Sequence, residues 1–206
     1  MRYYRSMSKF LVLWLPQALI ITGLVCVTYL GIQQSYRQGL NDPQIQMAED
    51  GAALLSQGGV PAELVQRGVV PVDVAKSLAP WIAVYDEAGG PLESSAVLND
   101  VPPMPPKSTF DSSTWSLRNG RDNAGEEVRY TWQPEPGVRV ALVMVHFTNP
   151  NPGNGSLSSG YVVAGRNMRE TEARIGLFAK TAAFAWFGLL CISALLTPFV
   201  SRKRAL

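Results

Sequence analysis

The chain offers few of the residue types that covalent chemistry needs. Its only histidine is His146, and its two cysteines, Cys26 and Cys191, lie within long apolar stretches. One imidazole and no thiol elsewhere leave metal-ligand spacings, and the Ser-His-Asp and Cys-His arrangements of nucleophilic catalysis, without their parts. Adjacent carboxylates occur at Glu49-Asp50, Asp86-Glu87 and Glu126-Glu127. Neighbours in a strand point to opposite faces, and carboxylates in turns are ordinarily solvated, so these pairs predict no general acid and base. No glycine-rich phosphate loop precedes a helix, because Gly165-Arg166-Asn167 reads as a strand end and Gly51 as mid-helix. The expectation is a protein that is not an enzyme, with no metal and no cofactor. His146 is expected as a partly buried strand residue, with a pH role as the alternative.

The elements that position these residues follow from the hydropathy pattern. From Phe10 to Ile32 the chain runs 23 residues without a charge, and from Thr181 to Val200 another 20. At 1.5 Å per residue each run is long enough to cross a hydrocarbon core of about 30 Å, and in lipid only a helix pairs all its backbone groups within its own segment. A cleaved signal peptide would have a shorter apolar core followed by a small-x-small site, and neither is present. Arg2, Arg5 and Lys9 precede the first run, while Arg202, Lys203 and Arg204 follow the second. The positive-inside rule then puts both termini in the cytoplasm. The expected organisation is a basic cytoplasmic tail (1–9), a first transmembrane helix (10–32), an extracytoplasmic domain (33–174), a second transmembrane helix with its lead-in (175–200), and a second basic tail (201–206). The localisation implied is a bacterial inner membrane.

Residues 33–174 carry 11 basic and 16 acidic side chains, which argues against nucleic acid as a partner. They contain no cysteine, so the domain must be stabilised by its core, and about 140 residues suffice for one. In the second transmembrane helix with its lead-in, Ala179, Ala182, Ala183, Ala185 and Gly188 are small enough to admit a close neighbouring helix, and Ser193 is suited to an interhelical hydrogen bond.

Within the domain, the first helix is expected to continue past the apolar run. Asn41 and Asp42 offer caps for a second helix with Pro43 in its first turn. Ile45, Ala48, Ala52 and Leu55 recur at three- and four-residue spacing and predict a face that packs on a sheet, with the helix ending near Gly58-Gly59. Short helices are predicted at Pro61 to Arg67 and Val72 to Leu78. From Ala79 the pattern turns to strands: Trp81 to Tyr85, a turn at Asp86 to Gly90, and a return strand from Pro91 to Leu98. The proline run Val101 to Pro106 predicts an extended surface connector. Glu127 to Trp132, the Pro134 to Gly137 turn, a central strand Val138 to Phe147, a loop at Asn149 to Ser159 and a last strand Gly160 to Gly165 complete a sheet of about five antiparallel strands. Helix is predicted from Arg166 onward. The fold class is α+β, with a long N-terminal helix covering the sheet.

Asn41-Asp42-Pro43-Gln44-Ile45-Gln46 after a first span, the Trp81 to Gly90 strand and turn, and Gly160-Tyr161-Val162-Val163-Ala164-Gly165-Arg166-Asn167-Met168-Arg169-Glu170 before a second span together resemble the extracytoplasmic sensor region of bacterial two-component sensor histidine kinases. The resemblance covers nearly the whole chain and implies a PAS-like domain of the Cache type. It also implies a ligand site between the sheet and what covers it. Tyr85, Arg129, Tyr130, Trp132 and Arg139 are the candidates, since aromatic faces and guanidinium forks suit small carboxylates or amines. Core aromatics and solvated arginines are the plainer reading of the same residues. A kinase of this family continues into a HAMP linker, a phospho-accepting histidine helix and an ATP-binding domain, none of which is in this sequence. The function expected is therefore signal transduction without an intrinsic kinase. Its partners would be the lipid bilayer, a small-molecule or protein ligand outside the cytoplasm, and a kinase, another membrane protein or a second copy of the chain. The alternatives are an envelope scaffold and the truncated remnant of a histidine kinase.

Overall fold

The computed structural model describes residues 2–39, 42–65, 70–110, 127–153 and 155–203, and the chain divides into two units, Met1–Arg37 with Glu172–Leu206, and Gln38–Thr171. The described residues form helices α1 (Arg2–Gly39), α2 (Asp42–Ser56), α3 (Pro61–Leu64) and α4 (Arg169–Lys203). The strands are β1 (Val72–Asp73), β2 (Trp81–Tyr85), β3 (Pro91–Ser94), β4 (Ala96–Val97), β5 (Glu127–Glu135), β6 (Val138–Thr148) and β7 (Ser159–Asn167).

The first unit is an antiparallel pair of long helices, α1 against α4. Phe10–Tyr36 and Arg169–Pro198 are long and apolar enough to cross a bilayer, with mean hydropathies of 2.3 and 1.8. Leu19, Leu24, Val27, Phe184, Phe187 and Leu195 project outward from the pair, each more than 60% exposed. No breaker interrupts Ile32 to Gly39, and α1 accordingly continues there as one helix.

In the second unit, β3-β2-β7-β6-β5 form an antiparallel five-stranded sheet. The sheet lies between two covers. On one face α2 packs through Ala48, Ala52 and Leu55, all buried, with Ile45 half-buried beside them, as their spacing predicts. Gly51 belongs to the same contact, with little room for a methyl between Ile82 and Val162. The helix ends at a Schellman turn in which Gly59 N–H donates to Leu54 O (3.0 Å) and Gly58 N–H to Leu55 O (3.1 Å). Gly58 has φ +95°, the left-handed conformation this cap needs. The other face is covered by β1, β4 and the segment from Leu98 to Phe110. Because both faces are covered, β2, the middle of β6 and the middle of β7 are buried throughout and do not alternate.

Several expectations are corrected. Val72 to Leu78 is not a helix: Val72–Asp73 pairs in parallel with Ala96–Val97 as a small second sheet. The Asp73 carboxylate then accepts the Ala75 and Lys76 N–H groups, satisfying locally the donors a helix would have used. The predicted return strand breaks at Ser95, whose hydroxyl accepts the Ile82 N–H and donates to the Ile82 carbonyl, so β3 and β4 join different sheets. The middle strand is β7, with β6 beside it. α4 starts at Arg169 and not at Arg166, because Arg166 and Asn167 still pair with Ala141 and Val140. The short helix expected over Pro61 to Arg67 ends at Leu64. Asn41, one of the expected caps, and Glu126 lie outside the described residues.

Candidate functional site

The aromatic residues singled out in the sequence come together on the sheet face opposite α2. Antiparallel register places Tyr130 opposite Leu142, Trp132 opposite Val140 and Tyr85 opposite Tyr161. All of these side chains enter one core with Trp81, Phe110, Met144 and Val163. Burial, reinforced by the nearby Tyr130, raises the Tyr85 phenol well above its ordinary pKa, and burial also raises Tyr130, so both are neutral hydrogen-bonding groups. Among the described residues Trp81 Nε1 is buried without a hydrogen-bond partner, a donor left over in this face.

The arginines do not join them. Arg129 is exposed, pairs with Val143 on the α2 side of the sheet, and is ion-paired with Glu127. Arg139 is exposed at the start of β6. The five-residue set therefore separates into an aromatic trio in one core and two cations outside it. Strand alternation explains this: residue 129 and residues 130 and 132 must point to opposite faces.

What closes the aromatic face was not foreseen. The proline run is a strap and not a surface connector: Pro103 and Pro105 are buried, while Pro102, Met104 and Pro106 are exposed. Prolines cannot donate to a strand ladder, so side chains from the sheet hold the strap in place. Tyr85 donates its hydroxyl to Pro103 O (2.6 Å), and Tyr161 donates to Phe110 O (3.0 Å). The Phe110 ring sits 5.1 Å from Tyr85 and 5.4 Å, edge-on, from Tyr161. Gly89, with φ +77°, packs so closely on Phe110 that an added Cβ would lie 2.6 Å from its ring.

A second built feature is the junction from β7 into α4. Asn167 Oδ1 caps the helix by accepting the Arg169 N–H (2.8 Å), and its Nδ2 donates to Val74 O (3.0 Å) and Ala75 O (3.3 Å). Arg166 Nε donates to Leu78 O, and an Arg169 guanidinium nitrogen to Lys76 O. The backbone of residues 74–78 is thus held by three of the four side chains of the junction sequence Arg166 to Arg169, and the fourth residue, Met168, donates its own N–H to Arg139 O.

The apolar helix pair is fastened by two indole-to-hydroxyl hydrogen bonds. Trp14 Nε1 donates to Ser193 Oγ and Trp186 Nε1 to Thr22 Oγ1, both at 2.9 Å. Ser193 thus makes the interhelical bond its position suggested. Tyr29 and Phe178 stack with centroids 6.2 Å apart. Ala179, Ala182 and Ala183 line a crevice of about 310 Å³ against Val25, Cys26 and Tyr29, and a methyl on Gly188 would meet nothing. Small residues here leave space rather than close it.

His146 is one-quarter exposed on β6, with Nε2 2.9 Å from Glu87 Oε1 and its ring 4.9 Å from that of Tyr161. The Asp86-Glu87 pair is therefore not simply solvated. Asp86 accepts the Ala88 and Gly90 N–H groups to shape the turn, and Glu87 reaches across to β6. Among the described residues no three histidine, cysteine, aspartate or glutamate side chains group to hold a metal ion.

No protein-family model matches the chain, and comparison with curated proteins and with solved structures finds no match.

Proposed function

We propose that this chain is a membrane-anchored sensor module. Its α+β domain, PAS-like and outside the cytoplasm, receives a signal at the aromatic sheet face, and its two apolar helices span the bilayer and pass the signal to a partner protein. The observation that carries this reading is the β7–α4 junction. The middle strand of the sheet bears Tyr161 at one end, where the strap is latched. At its other end it passes through the capped Arg166 to Arg169 sequence into a helix that is continuous to Lys203. The strand and the start of α4 are joined there by the Asn167 cap, and a signal reaching β7 would enter the helix through this junction. A five-stranded antiparallel sheet covered by a helix is also the arrangement that a PAS-like sensor requires.

The ligand class favoured by the aromatic face is small, flat and uncharged or weakly polar. Among the described residues, Tyr85, Tyr130, Trp132 and the Trp81 N–H offer stacking surfaces and a donor, while the candidate cations Arg129 and Arg139 stand outside that core. Purification of the tagged chain from a gentle detergent tests the reading. Recovery of a kinase or response regulator is the expected result, and recovery of an envelope-assembly complex alone overturns it in favour of a scaffold. A reporter fused after Leu206 that is active only outside the cytoplasm would overturn the orientation.

A further inference from the structure

The crevice between α1 and α4 is bounded by two interhelical contacts. At one end Tyr29 stacks on Phe178 with centroids 6.2 Å apart, and at the other Thr22 Oγ1 accepts the Trp186 indole N–H at 2.9 Å. Between them Ala179, Ala182 and Ala183 face Val25 and Cys26 across about 310 Å³, and the walls are almost entirely apolar. An apolar cavity of about 150 Å³ already admits benzene, whereas a water molecule needs several polar partners. The slot therefore suits hydrocarbon and not water.

Its length and the charge beside it say which hydrocarbon. From Ala179 to Trp186 the slot runs about two turns of α4, roughly 10 Å at 1.5 Å per residue. Lys180, exposed on the same turn as Ala179, is the only charged residue from Ile175 to Ser201. At 3.6 residues per turn it stands about 60° round the helix from Ala183. A lysine stem lies along apolar surface and carries its ammonium to the level of the lipid headgroups. A cation at one end of a dry slot that follows the helix axis complements a phospholipid of negative charge, with the phosphate at the polar end and an acyl chain below it. A third helix fits less well. Phe184 and Phe187 project from α4, each more than 60% exposed, and helix backbones approach closely over small residues.

We propose that the α1–α4 crevice binds one acyl chain of an anionic phospholipid whose headgroup is held by Lys180. The bound chain fills the space that the alanines leave and adds packing between the two helices. This site rests on the reading of both helices as bilayer spans, and it is independent of what the domain senses.

Native mass spectrometry of the full chain tests it, with release from detergent micelles supplemented with equal amounts of phosphatidylglycerol and phosphatidylcholine of matched chains. The expected spectrum shows a single-lipid adduct enriched in phosphatidylglycerol. Ala182→Leu fills the slot and should reduce the adduct to background, and Ala183→Leu repeats the test if the first variant does not fold. Ala185→Leu, on the same helix outside the lining, should leave the adduct unchanged. Lys180→Gln should keep an adduct but lower the preference for phosphatidylglycerol about fivefold, the factor that one basic side chain near an anionic surface supports. A wild type without adduct, or an adduct that survives the filling variants, overturns the site. An unchanged preference in Lys180→Gln overturns the headgroup assignment, and a dimer that the filling variants abolish overturns the lipid in favour of a second copy. Flotation with liposomes of the same two lipids reads the membrane placement separately. A chain that floats but retains no lipid refutes this site alone, whereas a chain that does not float removes the membrane reading with it.

Discussion

The two faces of the sheet are built from different materials. The α2 face is aliphatic and small, with Ala48, Ala52 and Leu55 set against Ile82, Val84, Val143, Val145 and Val162. The strap face is aromatic and carries hydroxyls, with Tyr85, Tyr130 and Tyr161 beneath a segment whose described backbone hydrogen bonds close on itself, as at Leu98 with Val101 and Phe110 with Lys107. The first cover is a regular helix whose own N–H groups are internally paired. The second is attached by side-chain bonds, among them the Tyr85 and Tyr161 phenols to strap carbonyls and Asn99 Nδ2 to Glu135 Oε1, and by what Pro103, Pro105 and Phe110 bury. A helix on aliphatic residues is hard to lift in part, whereas a strap held by individual side-chain bonds is the cover suited to opening locally. Stability thus resides on one face and adaptability on the other.

Substitutions that separate the two roles can test this contrast. The largest effect is expected from Leu55→Ala on the α2 face. It should cost about 2–5 kcal/mol, seen as a lower urea midpoint of the full chain in detergent monitored by tryptophan fluorescence. A cost below that of the strap substitutions would reverse the contrast. Next comes Gly165→Ala, whose methyl would stand 2.4 Å from the Trp81 ring and 2.6 Å from Leu142. Overpacking there should cost about 1–3 kcal/mol and shift the Trp81 emission.

Asn167→Ala removes the α4 cap and two bonds to residues 74–78, for about 1–2 kcal/mol. Faster amide exchange should follow at the start of α4, and unchanged exchange there would mean that the junction is not held by this side chain. Tyr85→Phe should cost only about 0.5–1.5 kcal/mol while raising exchange in the strap and sparing α2. The smallest effect concerns Glu87. Burial raises its pKa, but hydrogen bonds from Ser159 and His146, the imidazole charge and Tyr161 outweigh burial and hold it below the ordinary glutamate value. A carboxyl lowered in the folded state stabilises fully above its unfolded pKa and loses that contribution as pH falls through the folded one. Wild type should therefore lose slightly more stability on acidification than Glu87→Gln, measured by thermal melts from pH 6 down to pH 3.

Much of the architecture was legible in the residues. The two uncharged runs, the α2 stripe and the five strands each follow from a local pattern of hydropathy, since periods of two and 3.6 are imposed by the backbone itself. Ser193 was legible as an interhelical donor or acceptor, but not its partner Trp14, 179 positions away. The buried amide of Gln44, without a partner among the described residues, gave no signal either, because it interrupts an otherwise apolar face only once the fold is known.

Chain order alone thus determined the two apolar runs, α2 and the approximate places of the five main strands, but not the strand at Val72–Asp73 or the break at Ser95. Only the tertiary structure decided which strand lies in the middle, that a proline run closes the aromatic face, that the arginines stand apart from the tyrosines, and that His146 meets Glu87. Each of those is a contact between residues distant in sequence, chosen by the competition of whole surfaces for burial, and a local pattern holds no record of that competition.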